Sequence, residues 1–446
     1  MHDQDTIGEE RVTTARGLSG WRDEAVARLL AAAVPDTLVG RIRLTLPSGR
    51  DVVVGGPGGA EAAVTLRDYG LAWKAATRGA IGFADAYVSG AIETRDLAEV
   101  LRFFIDNRPA LARAGRGLFS VRLPDRLYHR ARRNTRAGSR RNIAAHYDLG
   151  NAFYAHWLDA GMSYSSGIYR TDETTLQAAQ AEKNRALLAA LDLQPGQRLL
   201  EIGCGWGGLA EAAGRLGAGV SAVTVSAEQE AYARRRIAAA GLDDQVAIRF
   251  EDYRDITGTF DRIASVEMIE AVGEERWPLY FRTLRDRLTP GGVAVLQAIT
   301  IREQSFEDYR RKPDFIQRYI FPGGMLPTKT ALAREAASNG LSFEIVETFA
   351  ASYARTLAEW RQRFEQAWPE IQKLGFDERF RRLWTYYLVY CQVGFEQGVI
   401  DVGFYRFTRP QTAVGMPEPT TDTARRTTVK SANSGNGTGG VPWRTT

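Results

Sequence analysis

The residues best suited to binding a small ligand lie in one turn, Gly203-Cys204-Gly205-Trp206-Gly207-Gly208. Apolar residues precede this turn, which predicts a buried parallel strand, and a helix is expected to begin near Leu209. Glycine lets the backbone bend sharply and approach a ligand closely, and the first N–H groups of a helix favour an anionic group. The turn therefore predicts a site for a nucleotide-like cofactor, although glycines also mark ordinary tight turns.

The next expected strand, residues 219–225, narrows the choice of cofactor. The glycine spacing, G-x-G-x-G-G, differs from the G-x-G-x-x-G of dinucleotide-binding proteins. The strand ends in Thr224-Val225-Ser226, without the acidic residue that binds the ribose of NAD. Both departures argue against NAD and favour S-adenosylmethionine.

The chain offers little for metal or thiol chemistry. Its two cysteines, Cys204 and Cys391, are far apart, which argues against a disulfide framework and favours a reducing cytosol. We interpret Cys204 as a small packing residue, because nothing marks its thiol as activated. The four histidines lack a familiar metal-ligand spacing, so no metal site is expected.

Composition and charge indicate the broad class of protein. The 446 residues are 44% hydrophobic and 25% charged, as in a soluble globular protein, and no apolar run of about 18 residues predicts a membrane span or a secretory signal. The net charge is only +5, but residues 113–141 hold ten arginines against one acid, Asp125. This segment favours phosphates, either of nucleic acid or of an anionic lipid surface, and a solvated linker is the alternative.

Alternating strand and helix patterns begin at residue 198 and predict a mainly parallel α/β sheet. Ligand sites in such sheets lie at the carboxyl ends of the strands. Six candidate site residues fall near those ends: Gly203, Thr224, Asp252, Glu267, Glu270 and Gln297.

Four regions are expected along the chain. Residues 1–110 form a small α+β domain, with a hairpin at 41–54 and helices from residue 85 onward, and residues 111–141 form a basic linker. Residues 142–408 form the catalytic domain, whose part beyond residue 300 is aromatic-rich and largely helical, with helices at 360–371 and 380–395 that suit an apolar substrate. Residues 409–446, rich in Thr, Ser and Gly, form a disordered tail.

Several motifs, in order, resemble the cyclopropane fatty acyl phospholipid synthases, a family that includes the mycolic acid methyltransferases. The similarity covers about residues 142–407, and residues 83–105 more faintly resemble the N-terminal domain of the phospholipid synthases. The motifs are the glycine turn, Tyr353-Ala354-Arg355-Thr356-Leu357, and residues 142–151, 162–166, 223–229, 252–255, 265–270 and 319–324. The resemblance implies a class I S-adenosylmethionine-dependent methyltransferase with a Rossmann-like sheet.

Family likeness also implies which residues contact S-adenosylmethionine, with Thr224 and Gln229 in place of the missing ribose-binding acid. The full set is Tyr164, Ser165, Gly203, Gly205, Thr224, Gln229 and Tyr253. The substrate implied is a membrane phospholipid acyl chain, and the implied assembly is a homodimer whose N-terminal domain helps dock it on the bilayer. We therefore expect a cytoplasmic protein, peripheral on the inner face of the membrane, with the 113–141 segment against anionic lipid.

The reaction implied by the resemblance is methyl transfer to a carbon of a cis double bond in an acyl chain. An alkene is a poor nucleophile, so alignment with the methyl group must supply much of the acceleration. Attack leaves a carbocation, which aromatic faces such as those of Tyr164 and Tyr353 are expected to stabilise. A base must then remove a proton, and the choice of proton decides the product.

In cyclopropane-forming members the expected base is a bound bicarbonate, and its binding positions match Ser166, Glu270, Gln297, Ile299 and Tyr353. Two of them depart from the family pattern, because serine replaces cysteine at 166 and a neutral glutamine replaces histidine at 297. Ala271 also stands where those members have histidine. These changes weaken the expectation of bicarbonate and ring closure, and favour a methyl- or methylene-branched product. A nucleic-acid methyltransferase and an inactive lipid-binding homologue remain the alternatives.

Overall fold

The computed structural model describes residue 20 and residues 23–28, 37–114 and 149–411. Most of the arginine-rich segment, the motif at 142–148 and the tail from residue 412 lie outside these residues. The predictions for the basic linker and for the tail therefore stay predictions.

The N-terminal part builds a small sheet in the order β2-β1-β3-β4. Its strands are β1 (Arg41–Thr45), β2 (Asp51–Gly55), β3 (Glu61–Leu66) and β4 (Ile92–Glu93). Strands β1 and β2 pair antiparallel, which confirms the predicted hairpin, and alternate residues such as Ile42, Val52 and Val54 are buried. Helices α1 (Tyr69–Val88), α2 (Leu97–Asp106) and α3 (Arg108–Ala114) complete this region. The expected helical start at residue 85 was wrong, because α1 begins at Tyr69.

The second sheet has seven strands in the order β10-β11-β9-β8-β5-β6-β7. Five neighbouring strands run parallel, as predicted, and helices lie in three of the four connections between them. They are β5 (Arg198–Ile202), β6 (Gly219–Thr224), β7 (Val246–Phe250), β8 (Phe260–Val266) and β9 (Leu288–Ile301). Strand β9 begins earlier than expected and includes the Pro290-Gly291-Gly292 segment, since Gly291 and Gly292 exchange backbone hydrogen bonds with Arg409.

Two antiparallel strands at one edge were missed in the largely helical interpretation of the chain beyond residue 300. They are β10 (Ser342–Thr348) and β11 (Ile400–Thr408), and β11 pairs with β9 along its whole length. Phe404, Tyr405 and Phe407 are all fully buried, so β11 is covered on both faces and shows no alternation of polar and apolar residues. A continuous aromatic run of this kind does not distinguish a buried strand from a buried helix.

Helices cover both faces of the large sheet and form a further layer beyond residue 350. The predicted helix at 360–371 is two helices, because the chain turns at Ala367 and Pro369 lies in the first turn of the second one. The helices, in chain order, are α4 (Asn151–Ala155), α5 (Leu176–Ala190), α6 (Gly208–Arg215), α7 (Ala227–Ala239), α8 (Ile269–Val272), α9 (Trp277–Arg287), α10 (Glu303–Arg311), α11 (Lys329–Ser338), α12 (Ala350–Gln366), α13 (Trp368–Lys373) and α14 (Glu378–Glu396).

Helix α14 holds the N-terminal sheet against the large one. Arg382 donates hydrogen bonds to the backbone carbonyls of Tyr87 and Ile92, at 2.6 and 2.7 Å, and its guanidinium lies 4.6 Å from the centre of the Tyr87 ring. Tyr386 packs on the same ring at 5.7 Å. The two sheets belong to one compact unit that ends at Pro410. Within the described ranges, no helix is both long and apolar enough to cross a membrane.

Candidate active site

The glycine turn follows β5 directly and forms one wall of the site. Gly203 and Gly205 have φ angles of 85° and 54°, in the left-handed region that glycine adopts without strain. A Cβ atom on Gly203 would also lie 3.2 Å from Cγ of Met268. The N–H groups of Gly203 and Cys204 both donate to the carbonyl of Val223, which fixes the turn beside β6. Burial raises the pKa of the Cys204 thiol, so this side chain is an uncharged packing group.

Thr224 and Gln229, which family resemblance assigns to the cofactor, meet at the carboxyl end of β6. Ser226 caps α7 by accepting the N–H of Gln229, and this cap brings the Gln229 side chain back towards the strand. The Thr224 hydroxyl donates to Oε1 of Gln229 at 2.9 Å, and both side chains are buried. The neighbouring strands β5 and β6 therefore end in a glycine turn and in a neutral polar pair.

Tyr253 lies just after β7, close to Asp252 and Arg254. Asp252 and Arg254 form a buried, bidentate ion pair, which gives Asp252 a structural role. The Tyr253 ring packs edge-on against Tyr280 at 5.4 Å. Its hydroxyl is buried and has no hydrogen-bond partner among the residues that the structure describes. Such an orphaned group suits contact with a polar ligand.

Tyr164 and Ser165 lie on the loop after α4. The hydroxyls of Tyr164 and Tyr387 are 2.8 Å apart, and the Ser165 hydroxyl accepts a hydrogen bond from Nζ of Lys183 at 3.1 Å. Lys183 is buried on α5, and burial lowers its pKa, while the negative charges of Glu267, Asp159 and Glu201 oppose that shift. The sequence analysis missed Lys183. The available signal was a charged residue among the buried positions of an otherwise apolar helix face.

Glu201, within β5, is a second buried charge beside the glycine turn. Burial raises the pKa of its carboxyl to about 8, with the charge of Lys183 acting in the opposite direction. One carboxyl oxygen, Oε2, has no hydrogen-bond partner within the described part of the chain. The unpartnered carboxyl oxygen lies in the strand that leads into the glycine turn and suits an ammonium group, and the unpartnered Tyr253 hydroxyl after β7 suits a nucleoside. S-adenosylmethionine has both.

Glu267 has the most hydrogen-bonded carboxylate of the site, although the sequence analysis assigned it no specific role. Its Oε1 accepts the backbone N–H of Ser166 at 2.9 Å and the side-chain amide of Gln297 at 2.8 Å, and its Oε2 accepts the Tyr353 hydroxyl at 2.5 Å. Burial raises the pKa of this carboxyl, and the three hydrogen bonds oppose that shift. The backbone of Glu267 is left-handed, with φ at 48°.

Glu270 lies on α8, one turn beyond Glu267. Its Oε1 accepts the N–H of Ile299 at 2.6 Å, and its Oε2 is buried without a hydrogen-bond partner among the described residues. Burial, followed by the negative charge of Glu267, raises the pKa of this carboxyl to about 8. Of the five positions predicted to bind bicarbonate, Ser166, Gln297 and Tyr353 donate to Glu267, and Ile299 donates to the fifth position, Glu270.

Aromatic rings enclose this region. The Tyr353 ring stacks on Phe395 at 4.5 Å, and the Tyr164 ring lies 5.3 Å from that of Trp360. Trp157 contacts both Tyr164 and Trp360 through edge-on packing. These faces can stabilise a cation and exclude water.

The seven-stranded sheet, with a glycine turn after β5, defines a class I S-adenosylmethionine-dependent methyltransferase. The family model described as mycolic acid cyclopropane synthetase matches residues 134–405, and the chain belongs to this family. It is 39% identical over 354 residues to the tuberculostearic acid methyltransferase UfaA1 of Mycobacterium tuberculosis, covering 76% of this chain and 80% of that protein. It is 34% identical over 388 residues to the cyclopropane-fatty-acyl-phospholipid synthase of Escherichia coli K12, covering 84% of this chain and 95% of that protein.

The solved structures agree with this assignment. The crystal structure of the mycolic acid cyclopropane synthase CmaA1, complexed with SAH and CTAB, superimposes with a TM-score of 0.56 at 29% identity, over 60% of this chain and 98% of that one. The suspected family, the fold class and the methyl donor are therefore confirmed. The protein is an S-adenosylmethionine-dependent C-methyltransferase that acts on fatty acyl chains.

Proposed function

We propose that the enzyme methylates one carbon of a cis double bond in an unsaturated phospholipid acyl chain and leaves a methyl- or methylene-branched chain. The observation that carries this proposal is the pairing of a hydrogen-bonded carboxylate with aromatic faces, where Tyr353 belongs to both groups. A cation formed on an acyl chain needs both kinds of group, the first to remove a proton and the second to protect the charge from water.

The proposal gives each residue around the glycine turn a role in holding the cofactor. S-adenosylmethionine supplies a methyl group that is electrophilic because it is attached to a sulfonium. Gly203 and Gly205 allow close backbone approach, while Thr224, Gln229 and Tyr253 offer hydrogen-bonding groups for the nucleoside. Tyr164 and Ser165 close the site from the loop after α4, and Lys183 holds the Ser165 hydroxyl in place.

The branched product is favoured by two residues and by one relative. Gln297 donates from a neutral amide, so the site lacks the potential cation that a histidine would bring. Ala271 brings no titratable group next to Glu270. UfaA1, which is similar to this chain over most of its length, is named a methyltransferase rather than a cyclopropane synthase.

A phospholipid substrate requires contact with a bilayer. The ten arginines of residues 113–141 would attract anionic headgroups, at about 1 kcal/mol for each cation near the surface. We include in the proposal that this segment and the N-terminal domain bring a homodimeric enzyme to the inner face of the membrane. Vesicles with and without anionic lipid test this part, because the proposal requires tighter sedimentation with the anionic vesicles and a loss of binding at high salt.

The product can be determined in a host that lacks cyclopropane lipids, with S-adenosylmethionine labelled as a CD₃ donor. A lipid that keeps all three deuterium atoms, or one that keeps two and still takes up hydrogen on mild hydrogenation, supports a branched product. A saturated chain with two deuterium atoms is a cyclopropane and would overturn that part. Label in RNA or DNA, or in no lipid at all, would overturn the function itself.

A further inference from the structure

The carboxylate of Glu267 occupies the hydrogen-bond donors that family resemblance assigns to bicarbonate. Three of the five matching positions, Ser166, Gln297 and Tyr353, donate to Glu267, and the fourth donor, the N–H of Ile299, goes to Glu270. A carboxylate presents the same pair of acceptor oxygens as bicarbonate. The chain therefore places its own acid where an external anion was expected.

The donors have no remaining capacity for a second anion. The side-chain amide of Gln297 has two N–H bonds, and they are directed to Oε1 of Glu267 and to the carbonyl of Ser166, at 2.8 and 3.3 Å. The backbone N–H of Ser166 and the hydroxyl of Tyr353 each have a single proton, and both are used. The residues present do not fit bicarbonate.

Charge leads to the same conclusion. The Glu267 carboxylate disfavours further negative charge nearby, as the raised pKa of the neighbouring Glu270 carboxyl indicates. Lys183 is the cation that faces Glu267 within the described residues, and burial lowers its pKa. An added anion would therefore be repelled by Glu267, while the donors of Ser166, Gln297 and Tyr353 are already used.

The backbone at Glu267 is consistent with a functional position. A left-handed φ is strained for a residue with a side chain, and such strain is frequent at active sites. The backbone N–H of Glu267 donates to the carbonyl of Gln297 on β9 at 2.7 Å. Gln297 therefore contacts Glu267 twice, through its backbone carbonyl and through its side-chain amide. Hydrogen bonds thus hold both the backbone and the side chain of Glu267 in position.

We propose that Glu267 is the catalytic base of this enzyme and that its reaction does not use bicarbonate. The inference rests on the proposed function. The π electrons of the double bond form the new bond to the methyl carbon, and the electron pair of the broken carbon–sulfur bond stays on sulfur. A carboxylate oxygen of Glu267 then takes a proton from a carbon next to the cation. For a methyl-branched alkene this is a chain carbon. For a methylene branch, a hydride first shifts from the methylated carbon to the cationic carbon, and the proton then comes from the new methyl group. The electron pair of that C–H bond closes the new π bond, and the proton leaves Glu267 for solvent before the next turnover.

Two measurements on the wild-type protein decide this proposal. Lipid methylation should run at the same rate in carbon dioxide-free buffer and in buffer with added bicarbonate, and a rate that requires bicarbonate would overturn the proposal. In the absence of lipid, the NMR signal of ¹³C-labelled bicarbonate should not broaden on addition of the protein. Saturable broadening would overturn it as well. The second measurement is independent of lipid turnover, so it shows whether this site binds bicarbonate even if the proposed substrate is wrong.

Two variants extend the test. Glu267→Gln keeps the shape but cannot accept the proton, so kcat should fall by about 10²- to 10⁴-fold while affinity for S-adenosylhomocysteine is kept. Glu267→Gly removes the carboxylate at a backbone angle that glycine adopts freely, so it should fold, bind ¹³C-bicarbonate and recover part of its activity when bicarbonate is added. A wild-type rate in Glu267→Gln would overturn the proposal.

Asp192→Gly is the matched control for the glycine variant. Asp192 is also an acidic residue with a left-handed φ, of 50°, but it lies at the opposite end of β5 from the glycine turn. This variant should keep the wild-type rate and should not bind bicarbonate. Binding of bicarbonate to this control as strongly as to Glu267→Gly would overturn the assignment of the anion site.

Discussion

Replacing Glu270 by glutamine should change how the stability of the protein depends on pH. One oxygen of this carboxyl accepts the N–H of Ile299, and the other is buried without a hydrogen-bond partner in the described part of the chain. Burial and the negative charge of Glu267 raise its pKa from 4.5 to about 8. The folded protein therefore binds this proton more tightly than the unfolded chain does.

The sign and the size of the effect follow from this difference. Because the folded pKa is the higher one, the stabilising contribution is fully present below pH 4.5 and is lost as pH rises to about 8. At about 1.4 kcal/mol for each pH unit, the loss is at most about 5 kcal/mol. A glutamine has no proton to release, so the variant should gain stability relative to wild type over this window. In a unit of this size 1 kcal/mol shifts Tm by about 2 °C or less, so the Tm difference should be at most about 10 °C.

The assay is thermal unfolding of both proteins without ligand, at a series of pH values across this window and above it. The Tm difference should grow in favour of Glu270→Gln as pH rises and should then become constant. Glu344→Gln makes the same chemical change at an exposed position on β10, and its curve should run parallel to that of wild type. A parallel curve for Glu270→Gln as well would refute the claim that folding removes this carboxyl from water.

The remaining predictions concern the cofactor site and the N-terminal domain. Tyr253→Phe removes an unpartnered buried hydroxyl, so it should raise Tm without ligand and weaken S-adenosylhomocysteine binding in calorimetry; unchanged affinity would remove Tyr253 from the cofactor site. Thr224→Val removes the hydroxyl that donates to Gln229, and affinity should fall about tenfold, whereas an equal affinity would contradict the assigned role. Arg382→Ala removes two hydrogen bonds and the stacking on Tyr87, so about 2–3 kcal/mol should be lost and limited proteolysis should cleave the N-terminal domain faster; an unchanged cleavage rate would show that α14 holds this domain by other contacts.

The parts of the fold that could be predicted are those with a local signature. The glycine turn, the parallel strands and the Thr224–Gln229 pair each depend on residues close together in sequence. Strand β11 could not be recognised, because burial on both faces removes the alternation that marks a strand. The start of α1 at Tyr69 was also missed because its sequence pattern is weak. A glycine at position 79 interrupts the helical pattern.

Contacts between the site residues were even harder to predict from the sequence. Resemblance placed Ser166, Gln297 and Tyr353 in one site, and the structure brings them together. It could not show that their common partner is Glu267, because the four residues come from a loop, from β9, from α12 and from the end of β8. Lys183 was missed for the same reason, since its partner Ser165 is 18 residues away and on another element. Contacts of this kind depend on tertiary packing, which no short motif records.

The left-handed backbone at residue 267 has an evolutionary consequence. Glutamate and glycine codons can differ by a single nucleotide, and glycine would adopt this φ angle without strain. One point mutation could therefore exchange a built-in base for an opening that admits a dissolved anion, and the reverse mutation could restore it, with little change in the surrounding fold. Lineages of such enzymes could diverge in their need for inorganic carbon at this one position, and that difference would be visible in a sequence long before it was measured in an assay.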